Sequence, residues 1–484
     1  MINVAIIEKQ RQCHKDSDLA MMGLKRAITW HDLKHNVLCI CSFLENNQIG
    51  RVLVLSDNNE EAVFVQSAAA SLRSPCLFLD PTLGIAEQVR CIQAFNPDVI
   101  VYSDKHWELA QTLNRHVSRK LIHLRTIGAL APPSRLEDVL DIAERKHLEL
   151  YSLTSGTFGM PKLVFRDTSF DQRRFDYFIG QLGFDGTERF IAAIPFHHAS
   201  VMGWGRMFLS IGGSLILSDL EVKSLASAIL TGKADCIVCS PQLITGIANY
   251  LNSSGKRVKP AMKFILVGGK NFSPVQKKAV TDYFGDVVYE YYGTTETGVN
   301  TLAWPDHIKQ FPFSSGMVLP GNRMIFLDPN MQLCRPDSGG RIAIQSYQTM
   351  KEYRNVCEDP FVQIDSDRYF VTPDYGFMKD DLVYVTNRLA SVGCTVDIYS
   401  IENAVRNIQG VKDAFATIGA NNALDILIAS SRGESEIVWR CRNVLEQISQ
   451  QSTVRIRVTQ EIPYSPLGKV RVNEINYFLQ GVSQ

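Results

Sequence analysis

The sequence lacks an excess of charge and lacks any long apolar run. Its 484 residues include 50 lysines and arginines against 50 aspartates and glutamates, so the formal net charge is zero. That balance gives no electrostatic reason to expect nucleic acid or an anionic membrane as a partner. No segment is apolar over the roughly 20 residues that a membrane-spanning helix needs. With 45% apolar and 21% charged residues, the composition is that of an ordinary globular protein.

The first residues do not predict a secretory signal, because no basic stretch precedes a long apolar run there. The 11 cysteines are scattered without a disulfide framework, and their odd number leaves at least one of them unpaired. Reduced thiols are the simplest interpretation, so we expect a cytoplasmic protein. A chain of this length exceeds one compact domain and predicts roughly two to four structural units.

Several catalytic patterns are also missing. The chain contains neither G-x-S-x-G nor G-x-G-x-x-G, which excludes the common serine hydrolase and dinucleotide-binding motifs. A lone C-x-x-C at Cys236–Cys239 lies in an apolar run with no second pair. Buried structural thiols are therefore a better interpretation of this pair than metal binding or redox chemistry. The same holds for Cys39 and Cys41, which lie on a predicted amphipathic helix.

The sequence does contain a regular alternation of short apolar runs and longer amphipathic stretches. A buried strand at 52–55 is followed by a predicted helix at 60–70. The other predicted strands are 99–102, 190–194, 214–217, 236–239 and 264–267. Strands that alternate with helices indicate parallel sheets covered by helices on both faces, so the predicted fold class is α/β.

The pattern changes in the last third of the chain. From Gly321 to about Tyr384, short alternating runs and turn residues predict a small β-rich unit. After it, a mixed segment of roughly one hundred residues predicts a separate lobe. We therefore expect a large N-terminal domain over residues 1–387, with two α/β subdomains and the β-rich unit. A small α+β C-terminal lobe is expected over residues 388–484.

The densest chemical signal is the segment 151–162, which has the sequence YSLTSGTFGMPK and follows a predicted strand at 148–151. Glycines let backbone N–H groups approach an anion, hydroxyls add donors, and the lysine adds a positive charge. The segment suits a triphosphate, although the G-x-x-x-x-G-K spacing of a Walker A loop is absent. Taken alone, a surface turn is the structural alternative. The candidate phosphate ligands are Thr154, Ser155, Gly156, Thr157, Gly159 and Lys162.

Four further segments follow this loop in order. In the run YYGTTETG at 291–298, Tyr292 offers an aromatic face to a purine, and Glu296 offers a carboxylate to a hard cation that bridges phosphates. The other three are Thr372–Gly376 around Asp374, the pair Asn387-Arg388, and Pro463–Arg471 with Lys469. Taken singly, the first three are more simply charged surface loops, whereas for Lys469 a lysine in an exposed turn is the weaker alternative.

Together these segments resemble the motifs of the acyl-adenylate-forming superfamily, which includes acyl-CoA synthetases, peptide-synthetase adenylation domains and luciferases. The phosphate loop is similar to S/T-S-G-T-T/S-G-x-P-K-G, the second segment to Y-G-x-T-E, and the last to P-x-T-x-x-G-K-x-x-R. The resemblance extends over nearly the whole chain through Asp80–Leu83, Ile194–His198, Leu266–Gly269, Leu319–Gly321 and Arg341–Ile344.

This resemblance implies an AMP-forming acid–thiol ligase that uses ATP and Mg²⁺. It implies that adenine stacks on Tyr292, that Thr295 contacts the α-phosphate, and that Glu296 holds the metal ion. It also implies a mobile C-terminal lobe whose Lys469 stabilises charge while the acyl-adenylate forms. The other implied nucleotide contacts are Gly268 and Gly269 beside adenine, Gly293 and Thr294 in the same run as Tyr292, Asp374 at the ribose hydroxyls, and Arg388 near ribose and phosphate.

The resemblance places the acid-binding segment at Ile194–His198 and implies His197 as an active-site residue. Relatives that activate amino acids carry an Asp there to pair with the α-ammonium. This segment can be aligned with the family motif in two ways, and both put a histidine at that position. The neighbours Phe196, Met202 and Trp204 favour a fatty or aryl acid. Adjacent histidines in a strand would point to opposite faces, which argues against a metal site.

The sequence departs from the family pattern at Phe158, Leu163, Pro373 and Ala390. The last of these occupies the position where the C-terminal lobe of relatives rotates, and about two residues are missing around it. Three hypotheses follow: transfer of the acyl group to coenzyme A, transfer to the phosphopantetheine thiol of a carrier protein, or a non-catalytic protein that binds acyl-adenylate or ATP. The expected partner is a small carboxylic acid, with no nucleic acid and no membrane span.

Overall fold

The computed structural model describes residues 2–15, 17–129, 131–154, 161–253, 260–357, 359–388, 398–418, 423–448 and 453–463. The helices within these ranges are α1 (Val4–Cys13), α2 (Trp30–Asn46), α3 (Glu60–Ser71), α4 (Ile85–Phe95), α5 (Trp107–Val117), α6 (Leu124–Ile127), α7 (Leu136–Arg145), α8 (Asp171–Leu182), α9 (Ala199–Ser210), α10 (Val222–Leu230), α11 (Pro241–Ser253), α12 (Pro274–Phe284), α13 (Pro305–Gln310), α14 (Ile398–Arg406) and α15 (Glu434–Ile448).

The strands within the same ranges are β1 (Leu19–Met22), β2 (Ala27–Thr29), β3 (Val52–Leu55), β4 (Cys76–Phe78), β5 (Val99–Tyr102), β6 (Lys120–His123), β7 (Leu150–Leu153), β8 (Leu163–Arg166), β9 (Arg189–Ile191), β10 (Ser214–Ile216), β11 (Cys236–Cys239), β12 (Phe264–Gly268), β13 (Val288–Thr294), β14 (Gly298–Ala303), β15 (Met317–Val318), β16 (Asn322–Leu327), β17 (Gly340–Ser346), β18 (Glu352–Tyr353), β19 (Phe361–Ile364), β20 (Asp367–Lys379), β21 (Leu382–Arg388), β22 (Val411–Ile418), β23 (Leu424–Ser430) and β24 (Val454–Thr459).

The first sheet is parallel and has the strand order β4-β3-β5-β6. Every residue of Val52–Leu55 is buried, since helices cover both faces of a sheet of this kind. Helix α3 begins directly after β3, where the side chain of Asn59 accepts the Ala62 N–H as an N-terminal cap. The strand and the helix predicted in this region are therefore both confirmed.

The largest sheet joins a parallel half to an antiparallel half. The parallel half has the order β13-β12-β11-β9-β10-β1, and β2 closes its edge. Chain direction reverses between β13 and β14, and the order then continues through β15, β21, β20, β17 and β16. The predicted β-rich segment is thus antiparallel, and it continues the α/β sheet edge to edge instead of forming a sheet of its own.

A small antiparallel sheet with the order β18-β8-β7 carries the predicted phosphate loop. The strand predicted at 148–151 lies at Leu150–Leu153 and pairs with Leu163–Arg166 as a hairpin. The loop therefore connects two paired strands, so its two ends are held close together by the ladder.

The C-terminal elements form their own layered unit. Strands β22, β23 and β24 make one sheet, and α14 and α15 pack on it. The apolar core of this unit includes Ile401, Val405, Ile426 and Ile437, and all four are buried. Because these side chains pack with one another, we propose a domain boundary between residues 387 and 388, at the end of β21.

The observed layers agree with the predicted α/β class. Cys236 and Cys239 are buried on β11, and burial raises the pKa of both thiols. None of the helices in the described ranges is long and apolar enough to cross a membrane.

Candidate active site

Two adjoining cavities lie at the carboxyl ends of parallel strands β12 and β13. The first has a volume of about 610 Å³ and the second about 340 Å³. Gly269, Tyr291, Gly293 and Thr294 line both of them. Ligands of open α/β sheets bind at this end of the strands, so the cavities occupy the expected place for a site.

The two ends of the predicted phosphate loop are tied together by hydrogen bonds. The N–H of Thr154 donates to the carbonyl of Lys162 over 3.0 Å, and the N–H of Lys162 donates to Thr154 Oγ1 over 2.9 Å. Asn355 supports the same place, because its Nδ2 donates to the Pro161 carbonyl (2.8 Å) and its Oδ1 accepts the Leu163 N–H (2.7 Å). Four predicted phosphate ligands lie outside the described residues: Ser155, Gly156, Thr157 and Gly159.

We expect Asn355→Ala to raise the KM for ATP by about 3–10-fold and to change kcat less. The substitution removes two hydrogen bonds of about 1 kcal/mol each that fix the loop ends before any ligand arrives. Initial rates over a range of ATP concentrations check this. Asn252→Ala is the matched control, because Asn252 is exposed on α11. An unchanged KM for ATP in Asn355→Ala would mean that the loop is positioned without this side chain.

The predicted metal ligand lies beside the predicted phosphate ligand Lys162. The hydroxyl of Tyr353 donates to Glu296 Oε1 over 2.8 Å, and Lys162 Nζ lies 4.8 Å from the centroid of the same tyrosine ring. Tyr353 belongs to β18, which pairs with the strand that follows the phosphate loop. Sequence reasoning missed Tyr353, since it stands 57 residues from Glu296 in a strand of two residues.

Arg166 holds the loop that carries Thr295 and Glu296. It is buried, and its Nη2 donates to the carbonyls of Thr295 (2.6 Å) and Glu296 (3.0 Å). Its Nε donates to the Gln348 carbonyl over 3.0 Å. Burial lowers the pKa of Arg166 to about 10, so the guanidinium remains charged at neutral pH. Thr295 itself lines the first cavity, as do Gly293, Thr294 and Glu296.

The second cavity brings together the predicted adenine and ribose contacts. The hydroxyl of Tyr292 donates to Asp374 Oδ2 over 2.8 Å, and both residues line this cavity with Gly269. Asp374 is buried, and the β20–β21 register places it opposite Arg388, whose side chain lies outside the described part of the structure. Gly268 lines the first cavity instead, where a Cβ at this position would collide with the ring of Tyr291.

Elements beyond the proposed domain boundary also reach the second cavity. Tyr399 and Asn403 of α14 line it together with Tyr292 and Asp374. The predicted catalytic residue Lys469 and the predicted hinge residue Ala390 both lie outside the described residues.

His197 and His198 lie in a turn before α9, where His198 is the N-cap residue, and not in a strand as expected. Their ring centroids are 4.9 Å apart and both residues line the first cavity, so the expectation of opposite faces is wrong. The strand ends early because the side chain of Asn58 bonds this segment. Its Nδ2 donates to the Ile194 carbonyl, and its Oδ1 accepts the Phe196 N–H, each over 2.8 Å.

The wall of the first cavity contains an ion cluster that sequence reasoning missed. Asp171 and Arg174 begin α8, and Arg206 lies on α9. All three line the cavity with Met202 and Trp204. Arg206 binds both carboxylate oxygens of Asp171, with Nε 3.1 Å from Oδ2 and Nη2 3.2 Å from Oδ1. A polar wall therefore faces the space where the sequence predicts an apolar acid.

A family model described as AMP-binding enzyme matches residues 7–354. The chain is 26% identical to a 2-succinylbenzoate–CoA ligase of Geobacillus over 276 residues, which is 54% of each chain. It is 24% identical to the 2-succinylbenzoate–CoA ligase of Lactococcus lactis over 382 residues, covering 76% of this chain and 77% of that ligase. A 4-coumarate–CoA ligase of Arabidopsis thaliana is 24% identical over 49% of this chain and 43% of its own. The match thus spans about half the length of the Geobacillus relative.

Solved structures share the fold along the whole chain. The amide bond synthetase McbA of Marinactinospora thermotolerans superposes with a TM-score of 0.81 at 19% identity, covering 98% of this chain and 99% of its own. ATP-bound MatB of Rhodopseudomonas palustris gives 0.81 at 17% identity over both full chains. The o-succinylbenzoate CoA synthetase MenE of Bacillus subtilis gives 0.81 at 16%, with 99% and 98% covered. At these identities the likeness shows the fold alone, and it confirms the predicted fold class.

Proposed function

Since this chain belongs to the family of AMP-binding enzymes, as the sequence motifs predicted, we propose that it activates a carboxylic acid as an acyl-adenylate at the expense of ATP. Pyrophosphate leaves, and the acyl group then passes to the thiol of coenzyme A. The observation that carries this proposal is the grouping of Lys162, Tyr353 and Glu296 in one cavity, next to the pair formed by Tyr292 and Asp374.

The charges of the first cavity suit a magnesium triphosphate. Lys162 ends the phosphate loop, and its position beside Tyr353 keeps a cation at the entrance to the loop. Glu296 accepts one hydrogen bond through Oε1 from Tyr353, and within the described residues its Oε2 has no protein donor. Mg²⁺ commonly takes one or two carboxylates together with water and phosphate oxygens, so this donor set fits it. When bound, Mg²⁺ would neutralise charge on the triphosphate.

The second cavity suits the nucleoside. An adenine ring would lie against Tyr292 and Gly269, and the ribose hydroxyls would donate to Asp374. Tyr292 already donates its hydroxyl to Asp374, so the aromatic ring and the carboxylate are held in one fixed relation before a nucleotide binds. Such preorganisation lowers the entropic cost of binding.

The substrate carboxylate would attack the α-phosphorus of ATP while Thr295 contacts that phosphate and Lys469 neutralises the developing charge. Arg166 fixes the backbone of Thr295 and Glu296, so both side chains keep their positions relative to the phosphates. A thiol would then attack the acyl carbon and release AMP. Relatives named as CoA ligases support coenzyme A as the acceptor.

For the acid, the apolar and aromatic lining of Phe196, Met202 and Trp204 supports a fatty or aryl body. His197 lies in the same wall, with Nε2 3.6 Å from Asp80 Oδ2. We propose that His197 contacts the acyl group or its carboxylate, and that no α-ammonium is bound there.

Product analysis tests the proposed function. The purified full chain is incubated with ATP, Mg²⁺ and a panel of fatty, aryl and amino acids, with and without coenzyme A. We expect AMP and pyrophosphate in equal amounts and an acyl-CoA identified by mass. Replacing coenzyme A with a phosphopantetheinylated carrier protein tests the other thiol acceptor. Binding of ATP without acid-dependent pyrophosphate in any arm would support the non-catalytic alternative.

A further inference from the structure

Arg174 is a buried cation in the wall of the 610 Å³ cavity. The residue is 7% exposed, and its side chain packs among aromatic rings. The guanidinium carbon lies 5.1 Å from the ring centroid of Phe170, 5.3 Å from that of Phe175 and 5.9 Å from that of Trp204. A guanidinium has five N–H donors. Within the described residues, the guanidinium of Arg174 makes a single hydrogen bond, from Nη2 to Asp171 Oδ1, at a long 3.4 Å.

The carboxylate beside Arg174 is already shared. Arg206 binds both oxygens of Asp171, which is the stronger arrangement for a guanidinium and a carboxylate. Burial alone would raise the pKa of Asp171, but nearby cations, Arg206 and Arg174 among them, outweigh burial and hold it far below its usual range. Asp171 is therefore charged. Two arginines against this one carboxylate leave the cluster with a net positive charge.

The rest of the cavity does not supply the missing negative charge. In the part of the lining that the structure describes, the only other carboxylate is Glu296, which accepts from Tyr353 and is the proposed Mg²⁺ ligand. Arg166 adds another cation, since its guanidinium carbon lies 5.4 Å from the same Phe170 centroid that Arg174 approaches. Arg174 has a long ion pair with a carboxylate that Arg206 also binds, and a buried charge that is only partly paired is unfavourable, so this wall is suited to an anion.

The helix that faces Arg174 leaves space for its guanidinium. Gly203 lies inside α9, where glycine is an unfavourable residue. A Cβ at this position would lie 2.9 Å from Arg174 Nη2 and 3.4 Å from Nη1. Only glycine therefore permits the present position of the guanidinium, directly on the wall of the acid-binding cavity.

We infer that the acid carries a second carboxylate, which pairs with Arg174 while the first carboxylate is adenylated. This inference rests on the proposed function and narrows its substrate class. Aromatic rings around Arg174 suit an aryl or apolar body between the two carboxylates. A fatty acid that ends in a methyl group would leave Arg174 with only the carboxylate that it shares with Arg206, and the ammonium of an α-amino acid would meet two arginines.

Matched acids that differ by one charge test the inference. We propose ATP–pyrophosphate exchange with 1,4-phenylenediacetic acid against 4-methylphenylacetic acid, and with octanedioic acid against octanoic acid. The wild-type chain should favour the diacid of at least one pair by about 10²-fold in kcat/KM, which corresponds to one desolvated charge pair. In Arg174→Met that preference should fall at least tenfold, mainly through the KM of the diacid, and the kcat/KM of the monoacid should fall much less.

Three further variants separate binding of an anion from a structural role. Arg174→Lys should restore part of the preference, and Gly203→Ala should lose it although every charge is kept. Arg173→Met is the matched control, because Arg173 is the exposed neighbour on the same helix and does not line the cavity. Equal losses for monoacid and diacid in Arg174→Met, or a wild-type preference for the monoacids, would overturn the inference.

Calorimetric binding of the same acids to the wild-type chain and to Arg174→Met gives a second readout that needs no turnover. Tighter binding of a diacid that depends on Arg174, but no exchange, would support the inference and count against the proposed function. Exchange with no preference for the diacids, in kinetics or in binding, would support the proposed function and overturn the inference of a second carboxylate.

Discussion

Replacing Lys469 by alanine should lower the rate of adenylate formation by about 10²–10³-fold, as expected for the loss of a group that stabilises transition-state charge. The affinity for ATP should change by less than about threefold, because the lysine is predicted to act while the carboxylate attacks and not in the ground state. Single-turnover pyrophosphate release and equilibrium binding of ATP, measured on the same preparation, separate these two effects.

The exposed lysine Lys412, which lies in the same C-terminal unit, provides the matched control. Lys412→Ala should keep the wild-type rate of adenylate formation. If Lys469→Ala forms adenylate at the normal rate, the role assigned to Lys469 is wrong. If it loses ATP binding to the same degree as its rate, the lysine serves ground-state binding instead.

Glu296→Gln should raise the Mg²⁺ concentration required for half-maximal rate by about tenfold or more, since a neutral amide is a much weaker ligand for a hard cation. We also expect the rate at saturating Mg²⁺ to fall by about 10–10²-fold. The substitution keeps the size of the side chain and leaves an oxygen able to accept from the Tyr353 hydroxyl. Initial rates over a Mg²⁺ titration at fixed ATP give both quantities.

Glu352→Gln is the control for this variant. Glu352 precedes Tyr353 on the same strand, pairs with Arg354 and does not line either cavity. It should show the wild-type Mg²⁺ dependence. An unaltered Mg²⁺ dependence in Glu296→Gln would mean that the metal is held by phosphates and other groups.

Local sequence patterns predicted the helices and strands well where the residues of one element, or its capping residue, are enough to identify it. The run at Val52–Leu55 is apolar at every position because both faces of its sheet are covered, and the next helix starts at a capping residue, Asn59. The family resemblance then placed the phosphate loop, Tyr292, Glu296 and Asp374, and the structure brings the two ends of that loop, Thr154 and Lys162, and the other three residues to two adjoining cavities.

Contacts between distant parts of the chain gave no such signal. Asn355 holds the end of the phosphate loop from 192 residues away, and Tyr353 reaches Glu296 from a strand of two residues. Neither has a periodicity or a spacing that marks its partner. The turn at His197 was misjudged for the same reason, because the backbone there bonds to the distant side chain of Asn58.

The ion cluster of Asp171, Arg174 and Arg206 shows a further limit. In the sequence, α8 begins with charged residues that are typical of a solvated helix face. Only the packing of α8 against α9 turns this face into the wall of a cavity and shows that two cations share one carboxylate. The second charge that we infer for the acid was therefore not predictable from the apolar neighbours Phe196, Met202 and Trp204.

Exchange of labelled pyrophosphate into ATP, measured without coenzyme A and as a function of added acid, tests the central claim most directly. The proposed function predicts exchange that requires both the acid and Mg²⁺, that proceeds without any thiol, and that falls in Lys469→Ala and Glu296→Gln. Exchange that is independent of the acid, or its absence with every fatty, aryl and dicarboxylic acid while ATP still binds, would contradict the assignment of this chain as an enzyme that activates carboxylic acids.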